Sequence, residues 1–236
     1  MSTSHSCDRR EFLVRSSAIG AGLSLPAGLL NERPAQKAKE QDEKVSPPED
    51  LMREHGVLNR ILLIYDEHIR RLDAKQDFDP KILADSAGVI RRFVEDYHEK
   101  LEEDYLFPRF RKAGKLVDLV DTLLQQHQAG RKLTEQIQQL AVAGTLKDEG
   151  RKRELEDRLR AFNRMYRPHE AREDTVLFPA FHGIVSEHEF GALGEQFEKK
   201  EDELFGDEGF FKVVDQVAEL EKKLGIYELA QFTPKE

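Results

Sequence analysis

Two stretches of this 236-residue chain carry the same chemistry in the same order: residues 96–110 read DYHEKLEEDYLFPRF and residues 167–181 read RPHEAREDTVLFPAF. Each offers a His, a Glu four positions later, and then Leu-Phe-Pro: His98 and Glu102 before Leu106-Phe107-Pro108, His169 and Glu173 before Leu177-Phe178-Pro179. On a helix, residues four apart sit about 40° from one another, so each imidazole shares a face with its carboxylate. A further His precedes each motif, His55 by 43 residues and His127 by 42. The whole unit is therefore written twice: a His on one helix, then His-x-x-x-Glu on the next. If the two units pack face to face, four imidazoles and two carboxylates enter one interior. Burying two carboxylates costs several kcal/mol per ion unless a cation compensates. The count suits two metal ions, each with two His and both bridged by Glu102 and Glu173, with positions left for a small exogenous ligand. Nitrogen and oxygen donors suit iron, manganese or zinc.

The elements that must position these residues are helices. Leu, Glu, Lys, Arg, Gln and Ala dominate, Gly and Pro are sparse, and no β-branched runs alternate between turn signals. A first helix is expected over about residues 49–75, with an apolar stripe of Leu51, Leu58, Leu62, Tyr65 and Leu72. A second runs from Pro80, at the first helical position, to about 111, stopping before Gly114. A third covers roughly 116–142 and a fourth roughly 146–181, with kinks expected at Pro168 and Pro179. The fold class is all-α: an up-down-up-down four-helix bundle of two duplicated hairpins. Two shorter helices, near 186–205 and 208–224, form a C-terminal extension. The Leu-Phe-Pro runs read as core packing and helix-ending signals.

Composition removes several function classes. A formal net charge of −9 argues against a nucleic-acid binder. The single cysteine, Cys7, leaves no disulfide framework and no thiolate zinc site. Residues 8–30, DRREFLVRSSAIGAGLSLPAGLL, place Arg9-Arg10 before a short, weakly apolar stretch, too short for a membrane span. They resemble a twin-arginine export signal, which implies passage of a folded, often cofactor-loaded protein into a bacterial periplasm. The expected division is a signal segment over 1–33, a polar linker over 34–48, the bundle over 49–183 and the extension over 184–236. His5 falls in the signal. His68 is 13 residues from His55, about 220° round the helix, and is expected at the surface. His182 and His188 read as cap or loop residues.

The doubled pattern, from residue 50 to residue 182, resembles the hemerythrin-like family, or HHE cation-binding domain. The resemblance implies a non-haem di-iron centre, oxo- or hydroxo-bridged, that binds dioxygen or handles peroxide, nitric oxide or iron, with an electron donor as a further partner. By motif position His55, His98, Glu102, His127, His169 and Glu173 carry over as ligands. Two places depart from the oxygen carriers of the family. Arg131 stands where their third helix has a second His, and Glu173 replaces an Asp one residue further on. Both argue against simple reversible oxygen carriage. Arg131 is then a cation placed to steer an anionic ligand, and Glu99 and Glu170 are minor ligand candidates. Two other readings compete. A ferritin-like di-iron oxidase needs two Glu-x-x-His motifs. Glu95-x-x-His98 supplies one, but Tyr166 occupies the matching place before His169. The other is a plain interaction bundle with structural metal or none.

Overall fold

A computed structural model describes residues 46–234. The signal segment and nearly all of the linker, with His5 and Cys7, lie outside the described residues. Six helices follow, and no strand occurs among the described residues. Helix α1 is Pro47–Asp73, opened by Ser46 and Glu49 in a reciprocal capping box, so it starts two residues before the expected boundary. Helix α2 covers residues 80–113, with Asp79 accepting from the Lys81 N–H and Pro80 at its first position. It ends at Gly114, whose positive φ of 62° closes the last turn. Helix α3 is Val117–Leu140 and α4 covers residues 149–181, capped by Asp148. Helices α5, Glu187–Phe205, and α6, Gly209–Leu224, follow.

The packing forms a ring: α1 meets α2 and α4, and α3 meets the same two neighbours. Leu51, Leu58, Leu62 and Tyr65 of α1 are buried with Phe93 and Tyr97 of α2, Val120 and Ile137 of α3, and Phe162 and Tyr166 of α4. Asn163 of α4 ties the ring, donating to the Leu62 carbonyl at 3.1 Å and to Asp66 at 2.8 Å on α1. The C-terminal pair docks on the bundle: α6 packs on α1 and α2, and α5 on α1. Arg60 of α1 meets Glu221 of α6 at 2.5 Å, and the rings of Tyr97 and Phe205 stand 5.4 Å apart, edge to face.

The prolines sit in two kinds of helical turn. Pro168 lies inside uninterrupted α-helix. Before Pro108 and Pro179 the helix instead widens into π turns, Glu102–Leu106 and Glu173–Leu177. The Phe107 N–H reaches the Glu102 carbonyl, and the Phe178 N–H reaches that of Glu173, five residues back in each case. Proline lacks an N–H and its ring crowds the carbonyl four residues earlier. One extra residue per turn takes up that mismatch. A longer π-helical stretch, Ile90–His98, has no proline to explain it.

His68 is a correction: it is fully buried, not at the surface. Its Nδ1 lies 2.8 Å from the Ile64 carbonyl and its ring meets Phe78 edge-on at 4.8 Å. The helical angle placed it away from His55, but that side of α1 is covered too. The Phe78 segment lies over it, and nearby Arg71 donates to the Leu224 carbonyl at the end of α6. Burial pushes the His68 imidazole down to about 4. The unfolded chain, with an ordinary value near 6.5, binds the proton first, so stability is full above about pH 6.5 and falls as pH drops towards 4. Denaturant titrations at pH 7 and pH 4.5 should show His68→Gln losing about 2–3 kcal/mol less than the parent chain over that interval.

Candidate metal centre

The duplicated helices bring all six expected residues into one buried core. His55, His98, Glu102, His127, His169 and Glu173 are each at most 3% exposed. They form two clusters, His55–His98–Glu102 and His127–His169–Glu173, in each of which one atom per residue lies within 4.8 Å of the others. His55 Nε2 and His98 Nε2 are 3.1 Å apart, and His127 Nε2 and His169 Nε2 are 3.2 Å apart. The carboxylates span the two pairs. Glu173 Oε2 lies 3.3 Å from His55 Nε2 and 3.1 Å from His169 Nε2. Glu102 Oε2 lies 3.8 Å from His98 Nε2 and 3.4 Å from His127 Nε2.

Each imidazole is aimed from outside by a polar partner on its Nδ1. For His55 this is Asp174 at 2.7 Å, for His98 Glu54 at 2.7 Å, for His127 Glu103 at 3.1 Å and for His169 Gln126 Oε1 at 2.9 Å. All four are acceptors, so they select the Nδ1–H tautomer and turn the Nε2 lone pairs inward. These four residues went unnoticed in the sequence, although a signal is there. Glu54 and Gln126 each directly precede a first-position His, and Glu103 and Asp174 each directly follow a motif Glu. The aromatic of each Leu-Phe-Pro finishes the support. Phe178 stacks on His55 and Phe107 on His127, both at 5.5 Å between ring centroids.

This arrangement calls for positive charge. Imidazole nitrogens facing each other at hydrogen-bond distance repel unless a proton or a metal stands between them. All four carboxylate oxygens of Glu102 and Glu173 are buried, and imidazole Nε2 atoms face both carboxylates. Protonation responds accordingly. Burial works against a charged His55, but Asp174 and Glu173 outweigh it and lift the imidazole to about 10. Burial and the neighbouring Glu173 push Glu102 well above the usual carboxylate range. Burial also raises Glu173, but His169 and His55 override it and hold that carboxylate well below its ordinary value. Burial pushes His98 well down, and His127 to about 4. Four imidazole Nε2 atoms and two buried carboxylates, gathered in two clusters, fit a pair of cations.

The secondary candidates sit just below the centre in other pairings. Glu99 accepts from the Tyr166 hydroxyl at 2.8 Å and lies 2.7 Å from Arg131 Nη2. The same guanidinium nitrogen is 2.7 Å from Glu103 Oε1. Glu99, Glu103 and His127 offer a third grouping of ligand atoms, and the Arg131 guanidinium is paired with its two carboxylates. Arg131 is thus held by carboxylates rather than presented to an incoming anion. Glu170 pairs with Asn59, and burial lifts its carboxyl to about 8. Glu95 turns to Arg91 at 2.5 Å and joins neither cluster. His182 is an exposed turn residue paired with Glu187 at 3.0 Å, and His188 lies exposed in the first turn of α5.

Gly130 allows this floor to close. A Cβ there would stand 2.0 Å from the Tyr166 hydroxyl oxygen, closer than any real contact. Gly130→Ala should therefore destabilise the chain by about 1–3 kcal/mol through overpacking. In a thermal melt, Tyr166→Leu should cost less in the Gly130→Ala background than in the parent chain, because the clash has gone.

The family model described as hemerythrin HHE cation binding domain matches residues 46–181, and matches again over 118–232. Uncharacterized proteins of Mycobacterium tuberculosis and Mycobacterium bovis are each 47% identical over 232 residues, 95% of this chain and 91% of theirs. No solved structure matches the chain.

Proposed function

Because this chain belongs to the hemerythrin HHE cation-binding domain family, we propose that its buried His/Glu core holds two non-haem iron ions and binds dioxygen or a related small oxidant, peroxide or nitric oxide. The observation that carries this reading is the convergence of four Nε2 atoms in two pairs, with Glu102 and Glu173 each within reach of both pairs. His55 and His98 would hold one ion and His127 and His169 the other, with Glu102 and Glu173 each within reach of both. The ions, when bound, supply the redox electrons and the open coordination that a small oxidant needs.

The protein residues provide the rest. Glu54, Asp174, Glu103 and Gln126 fix each imidazole in the metal-binding tautomer and hold it in place. Phe107 and Phe178 brace two of the rings, and Leu106 and Leu177, next to them in sequence, are fully buried. The side chain four residues after His127 is Arg131, paired with Glu99 and Glu103, so one position has fewer imidazoles than an oxygen carrier would supply. This favours chemistry on an oxidant over reversible carriage. A ferritin-like oxidase is the weaker reading, because Glu95 is paired with Arg91 and Tyr166 with Glu99. The ring of packing contacts and the duplicated hairpins support the up-down-up-down order over 49–183. We also propose that residues 1–33 direct twin-arginine export, so that the loaded bundle works in the periplasm. Among the described residues no helix is long and apolar enough to cross a membrane.

Metal analysis of the purified chain should give about two iron ions per protein, on the ligand count above. Its absorption spectrum should show oxo-bridged diferric bands that respond to azide or peroxide. His98→Ala combined with His169→Ala should abolish iron and lower the melting temperature. Iron-free parent protein, with no change in stability in that variant, would exclude the di-iron reading and leave an interaction bundle.

A further inference from the structure

The six inner residues repeat between the two halves, but their outer partners do not. His98 is backed by the Glu54 carboxylate, whereas its counterpart His169 is backed by the neutral amide oxygen of Gln126. His55 is backed by Asp174 and His127 by Glu103. Here too the halves differ, because Glu103 is shared with two cations, Arg131 and Lys100. Lower in the core, Glu99 is matched by the charged Arg131, while its counterpart Glu170 is matched only by the amide of Asn59. The His55–His98 pair therefore has two carboxylate supports, and the His127–His169 pair has one carboxylate and one amide.

An imidazole whose Nδ1–H is held by a carboxylate is a more basic donor at Nε2 than one held by an amide, and such partners shift metal affinity by about 10–100-fold. We propose that the two metal positions are unequal. His55 and His98 hold a divalent cation more tightly than His127 and His169 do, and Glu54 and Gln126 set much of the difference. This rests on the two-ion reading of the core. It gives the loading an order: the first ion enters between α1 and α2, and the second completes the centre between α3 and α4.

The test is a cobalt(II) titration of the metal-stripped full chain without oxygen, with native mass spectrometry counting chains that carry zero, one and two ions. The one-ion form should accumulate beyond the share that two equal, independent positions allow. Gln126→Glu should strengthen the second step by about 10-fold and leave the first nearly unchanged. Glu54→Gln should weaken the first step by a similar factor. Asp174→Asn, at a partly exposed side chain, should weaken the first step too and guards against a folding defect at buried Glu54. Two ions entering with equal affinity, or a Gln126→Glu variant in which the two steps move further apart, would overturn the inequality. Failure to bind any cobalt would instead overturn the two-ion reading itself, so the two failures are distinguishable.

Discussion

Two glutamates with no exposed surface set the chief constraint on the core of this bundle. Glu102 and Glu173 sit between four imidazoles, and buried negative charge of that kind is tolerated only with positive charge close by. Much else in the core serves that requirement. Four helices must each deliver a His, two of them must also deliver a carboxylate, and each ring must be turned so that the same nitrogen faces inward. The outer acceptors on every Nδ1 enforce that orientation. Against burial, Asp174 and Glu173 lift the His55 imidazole, and burial beside Glu173 raises the Glu102 carboxyl.

The helix geometry meets the same requirement at the backbone. Each bridging Glu opens a π turn, and each turn closes on the Phe that stacks against a His of the other hairpin. A regular helix would rotate the Leu-Phe-Pro segment by a further fraction of a turn relative to the Glu. The wide turn lets the carboxylate, the apolar plug and the proline each face where packing needs them.

The periodicity of the sequence is strong enough to fix most of this. The helix boundaries fall within a few residues of expectation, because Pro80, Gly114 and the apolar stripe of α1 are unambiguous signals. All six inner residues meet, because duplication constrains both halves at once. What stayed hidden depends on neighbours remote in sequence. His68 sits at the angle of a surface residue, yet a second side of α1 is covered. Proline signals a disturbed helix from local sterics alone, but not that the backbone widens into a π turn before it. Glu54, Gln126, Glu103 and Asp174 follow from the repeat only once the positions beside each ligand are compared across the two halves.

Arg131 has a consequence for how many ions the core can accept. Glu99, Glu103 and His127 are close enough together to bind a cation, and they adjoin the His/Glu centre. The guanidinium paired with both carboxylates is a cation tethered to the chain, which cannot diffuse away or be exchanged. Any cation held in the core would therefore meet a boundary on that side. On that side the chain meets its own carboxylates with a permanent charge, as a stopper covalently attached to the vessel it closes.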